Sequence, residues 1–100
     1  MKLVKLAEAP VLPVTFDDYS PARTVQGCRV RSKAGALLIE SGGRFKRFPA
    51  GSERVCILAG SGHFKWQRGE LPFAAGDAFL AEGLEEYDLY GEGVFWIAED

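Results

Sequence analysis

The chain is poor in the residues that most often carry chemistry. It holds one histidine, one methionine and two cysteines in 100 residues. Two cysteines, Cys28 and Cys56, are too few for a disulfide framework, and their spacing fits no zinc site. Each lies in an apolar or alternating stretch, so both read as buried free thiols. A cysteine nucleophile needs a base, and no spacing ties the single histidine, His63, to either thiol. Long apolar runs are also missing. Stretches such as Cys56 to Ala59 span a few residues, against about 20 for a membrane crossing. The first residues, Met1-Lys2-Leu3-Val4-Lys5, interrupt their apolar character with charge too early for a signal peptide. The expectation is a cytoplasmic protein with no membrane partner. No window repeats apolar residues at three-and-four spacing, so no long amphipathic helix is expected.

Charge is unevenly placed. The net charge is −2, which argues against a general nucleic-acid binder. Yet residues 1–50 carry nine Lys and Arg against four Asp and Glu, while residues 51–100 carry three against ten. The basic residues gather at Arg29, Arg31, Lys33, Arg44, Lys46 and Arg47, the acidic ones at Glu82, Glu85, Glu86, Asp88 and Glu92. Two readings are open: complementary faces that pair across strands, or one cluster lining a ligand site.

What is present is β-forming sequence between glycine-containing turns. Arg29-Val30-Arg31 leads through Ala34-Gly35 to Ala36-Leu37-Leu38-Ile39-Glu40. Turns are expected at Gly42-Gly43, at Pro49-Ala50-Gly51-Ser52 and at Gly60-Ser61-Gly62. Further turns are expected at Gly69-Glu70, Gly76-Asp77 and Gly91-Glu92-Gly93, with a closing strand over Val94-Phe95-Trp96-Ile97-Ala98. From His63 to Arg68 the chain alternates, with His63, Lys65 and Gln67 on one face and Phe64, Trp66 and Arg68 on the other. One face is buried and one is wet, as in an antiparallel sheet. Many short strands at near-even spacing imply a sandwich or barrel in a single domain. Residues 1–25 differ: Pro10, Pro13 and Pro21 each remove a ladder donor, so an arm or edge strand is expected before a barrel over 26–100. Such an arm has little core of its own and would lie along a neighbouring subunit, which points to a homodimer.

The second half resembles the cupin superfamily. The first cupin motif runs G-x5-H-x-H-x3,4-E-x6-G, and its tail is present as Glu53, six residues, then Gly60. The second motif resembles Gly76-Asp77-Ala78-Phe79-Leu80-Ala81-Glu82-Gly83, one residue short and with Ala81 in place of proline. Leu71 to Ile97 is similar to the C-terminal β-domain of type I mannose-6-phosphate isomerases, in the order Gly76-Asp77, Phe79-Leu80, Gly83, Glu86-Tyr87 and Gly91. The resemblance implies an all-β, cupin-like jelly-roll barrel. It also implies a divalent metal in catalytic members, held by the His-x-His pair, the glutamate and the second-motif histidine. Here the paired histidines fall on Arg47 and Pro49 or on Lys46 and Phe48, and the later one near Glu86 or Tyr87. Only Glu53 remains as a ligand, and Arg47 or Lys46 would repel a cation, so neither a metal nor another cofactor is expected.

The candidate pocket therefore comprises Arg44, Lys46, Arg47, Glu53, His63 and Tyr87. Arginine reads carboxylate and phosphate as a fork. Strand alternation allows Arg44 and Lys46 inside the barrel, or Arg47, but not all three. Glu53, if buried, needs a cationic partner, which Arg44 or Arg47 would supply. His63 stands at the wet face and Tyr87 at the mouth. The sequence thus reads as a metal-free, non-catalytic binding or assembly module for a small anionic or sugar-derived ligand. The alternative is a sugar-phosphate enzyme of the mannose-6-phosphate isomerase kind.

Overall fold

The computed structural model describes residues 2–12 and 15–100; Pro13, one of the prolines expected to interrupt the arm, lies outside the described residues. Eight strands follow in order: β1 Lys2–Lys5, β2 Arg23–Val25, β3 Cys28–Lys33 and β4 Ala36–Arg47. Then come β5 Glu53–Trp66, β6 Gly69–Ala74, β7 Ala78–Glu82 and β8 Tyr87–Glu99. All pairings are antiparallel, in the order β1-β7-β5-β8-β4-β3-β2, with β6 joined to β5 beside β7. Among the described residues, no helix is long and apolar enough to cross a membrane.

Three of the expected turns are not turns. Gly42-Gly43, Gly60-Ser61-Gly62 and Gly91-Glu92-Gly93 lie inside β4, β5 and β8, which run 12, 14 and 13 residues without reversing. The register explains why. Gly43 pairs with Gly91, and Gly60 with Gly93, so the glycines of three neighbouring strands form one band across the sheet. The sheet folds along that band, and the strands come too close for side chains. A Cβ on Gly62 would sit 1.8 Å from the Tyr90 carbonyl oxygen, and one on Gly91 would sit 2.4 Å from that of Ser61. Beside the band β5 carries a bulge between Ile57 and Ala59, which reverses the inward parity. Val55 and Ile57 face inward before it; Phe64 faces inward after it.

The fold line divides the sheet into two walls. The first holds β1, β2, β3, β7 and the near halves of β4 and β5 with the end of β8. The second holds β6, the far halves of β4 and β5, and the start of β8. The walls meet through aromatics: Phe64 lies 4.7 Å from Phe79 across the interior, and Phe73 lies 5.4 Å from Phe95. With Val30, Ile39, Phe45, Val55, Ile57, Leu89 and Ile97 they form one apolar core. Burying a side chain of this size contributes about 1.5–3 kcal/mol each.

The N-terminal segment lies on its own barrel. β1 pairs with β7 at the sheet edge. Residues Leu6, Leu12, Phe16 and Tyr19 then cover the outer face of the first wall, over Ala36, Leu38, Cys56, Ala78 and Trp96. The Trp96 indole donates to the Tyr19 hydroxyl at 3.0 Å. Arg31 donates from Nε to the Ser20 carbonyl at 3.0 Å and from its terminal nitrogen to that of Phe16 at 2.7 Å. Both cysteines are free and buried on opposite faces of the sheet, Cys28 in the core and Cys56 under this strap, where burial pushes its thiol pKa up.

The glycine band sets a testable requirement. Gly62→Ala should cost about 3 kcal/mol, because the Cβ meets backbone that cannot rotate away. Gly51→Ala, where the added Cβ meets nothing within 4 Å, should stay within about 0.5 kcal/mol of the parent. Urea denaturation of both variants measures the difference.

Candidate functional site

Strand alternation decides which cation enters the barrel. Phe45 is buried, so its neighbours Arg44 and Lys46 point outward and Arg47 points in at the end of β4. There the Arg47 guanidinium grips Glu53, with Nε 3.1 and 3.2 Å from the two carboxylate oxygens and a terminal nitrogen at 3.0 Å. The Tyr87 hydroxyl donates to Glu53 Oε1 at 2.6 Å. Glu53 is 1% exposed and Tyr87 fully buried, whereas the Arg47 side chain keeps 27% of its surface. Among the described residues, every buried side-chain nitrogen and oxygen has a hydrogen-bond partner. Burial, and then the charge of Glu53 and its hydrogen bond, hold the Tyr87 phenol well above its ordinary pKa of 10.0.

Glu53 is on the first wall, and Arg47 and Tyr87 are on the second, so the trio ties the two walls together. They are also three positions onto which motif counting carries the cupin metal ligands. Their chemistry does not suit a metal. A guanidinium offers no lone pair, and it and the phenol occupy the carboxylate a cation would need. Among the described residues, no three His, Cys, Asp or Glu side chains are grouped to hold a metal ion.

The remaining candidates stand on the outer face of the second wall. Arg44, Tyr90 and His63 are cross-strand neighbours on β4, β8 and β5. The Arg44 guanidinium lies 5.3 Å from the Tyr90 ring centre, and His63 stacks on the same ring at 5.2 Å and 17°. Arg44 Nε donates to Asp88 at 3.1 Å, and Lys46 Nζ lies 3.8 Å from Glu86. The structure thus splits the six candidates: Arg47, Glu53 and Tyr87 meet inside, while Arg44, Lys46 and His63 stay outside.

Next to the outer group, at the rim of the barrel, is a cavity of about 530 Å³. Its walls are Lys65 and Trp66 at the end of β5, Gln67 in the turn that follows, Leu84, Glu85 and Glu86 before β8, and Asp88 and Tyr90 on β8. Each outer candidate braces a wall: Arg44 holds Asp88 and Tyr90, His63 backs Tyr90, and Lys46 holds Glu86. Reasoning from sequence missed this cavity, because it aimed the site into the barrel. A signal was present in the alternation of Lys65, Trp66 and Gln67 and in the acidic run Glu85-Glu86.

The inner trio carries a pH signature. The phenol of Tyr87 ionises in the unfolded chain near pH 10.0 but stays protonated in the fold, so its stabilising share is present below that pH and is lost above it. Tyr87→Phe should cost about 1–3 kcal/mol at neutral pH, since Glu53 loses a buried donor. The penalty should shrink as pH rises beyond 10.0, and denaturation at pH 7 and above pH 10.0 reads both.

No protein-family model matches the chain, and no curated protein matches its sequence. Among solved structures, it is similar to the mannose 6-phosphate isomerase from Bacillus subtilis, at a TM-score of 0.67 and 14% identity. The match covers 83% of this chain and 28% of that one, so the chain spans less than a third of the isomerase's length. At that identity the likeness speaks for the fold, which is all-β and cupin-like.

Proposed function

We propose that this chain is a non-catalytic binding module that takes a small sugar-derived ligand in the rim cavity. The observation that carries the reading is the cavity's lining. Trp66 supplies an apolar aromatic surface for a ring, and Gln67, Glu85, Glu86, Asp88 and the Tyr90 hydroxyl supply polar groups for hydroxyls. A space of about 530 Å³ lies within the usual range of small-molecule sites. The barrel interior supports no such reading, because its aromatics pack against one another and its one carboxylate is occupied by Arg47 and Tyr87. That occupation equally removes the support for an isomerase-like reaction inside the barrel.

Titration with monosaccharides, neutral and amino, followed by amide NMR shifts, tests the proposal. Shifts should centre on Trp66, Gln67, Glu86 and Tyr90. Tyr90→Phe, which keeps the stacked ring and removes only the hydroxyl, should weaken binding about tenfold while leaving the melting temperature nearly unchanged. Shifts centred on the barrel interior, or none at millimolar sugar, would refute it.

A further inference from the structure

We infer that the rim cavity selects a positively charged amino sugar over a neutral or phosphorylated one. The inference rests on the binding reading above and adds the charge of the ligand. Four charged side chains line the cavity, and three of them have partners. Asp88 is held by Arg44 at 3.1 Å, Glu86 by Lys46 at 3.8 Å, and Lys65 lies 3.9 Å from Glu70. Glu85 has no ion pair among the described residues. The cavity therefore keeps one uncompensated negative charge, next to two more carboxylates.

The aromatic groups sharpen the same choice. Tyr90 is flanked by Arg44 from one neighbouring strand and His63 from the other, so its ring faces are occupied and its edge and hydroxyl remain. Trp66, whose indole rests partly on Gly69 and the core, is then the aromatic surface left for the ligand on its cavity side, and an indole attracts a cation as well as a sugar ring. A single ammonium on a hydroxylated ring satisfies Glu85 and Trp66 together. A phosphate placed in the same space would face Glu85, Glu86 and Asp88, while the nearby cations Arg44, Lys46 and Lys65 are engaged with carboxylates.

Isothermal titration with glucosamine, N-acetylglucosamine, glucose and glucose 6-phosphate tests this, at a pH where the free amine is protonated. Glucosamine should bind about tenfold more tightly than the two neutral sugars. That preference should fall as salt rises, and Glu85→Gln should bring the glucosamine-to-glucose ratio close to one. Glu85 is exposed in a loop, and the salt series gives an independent reading should the variant be unstable. Equal affinity for charged and neutral sugars overturns the inference and leaves the binding module intact. Tightest binding of the phosphate overturns it as well. No binding by any of the four removes both readings.

Discussion

The structure turns on a carboxylate that has nowhere else to go. Glu53 enters the barrel because β5 alternates and its neighbours Val55 and Ile57 must be inside. An ionised carboxylate in such surroundings is stable only if its oxygens are fully bonded. Arg47 takes both oxygens and Tyr87 takes one of them again. Both partners come from the opposite wall, so meeting the needs of one side chain closes the barrel at that end. The arrangement has a functional consequence. A guanidinium already forked onto Glu53 is not free to bind an anion, and a barrel tied and filled in this way leaves its polar surface to the rim.

How much of this was legible in the sequence depends on whether the signal was local. The β-rich pattern, an inward Glu53 and its need for an arginine partner follow from alternation and from the cost of a buried charge. Whether Arg44 or Arg47 supplies that partner is decided only by the register of β4, which buries Phe45 and turns Arg47 inward. The turn at Gly76-Asp77 and the break at Pro49 to Ser52 were legible for the same reason, since their chemistry lies within four residues. The glycine pairs were misread because their meaning is not local. Gly62 is needed by the carbonyl of Tyr90, 28 positions away, and nothing in its own neighbourhood distinguishes that need from a turn. Three long strands were therefore read as six short ones.

The arm shows the same limit. Its prolines argue against a central strand, and its lack of a core suggests a neighbouring subunit. The apolar row it covers, Leu38, Trp96, Cys56 and Ala78, becomes visible only once β4, β8, β5 and β7 lie side by side. Within one chain, that row gives the arm the surface its sequence lacks. The uneven charge has an equally internal answer. Basic residues of the first half meet acidic residues of the second at Arg44–Asp88, Lys46–Glu86, Arg47–Glu53 and Lys5–Asp77. Each exposed pair is worth at most about 1 kcal/mol, so the pairing fixes side-chain positions more than it adds stability.

That positioning matters at the rim. Because Arg44 and Lys46 are on the outward parity of β4, they stand beside the outward residues of β8, where Asp88 and Tyr90 form part of the cavity wall. Had β4 slipped by one residue, Arg47 would face solvent, Glu53 would lose its fork, and Arg44 and Lys46 would enter the core. The inner trio and the outer wall are thus consequences of one register. The cost of misplacing a buried charge fixes that register, and it thereby holds the rim's carboxylates and aromatic edge in place, although no residue of the cavity bears that cost itself.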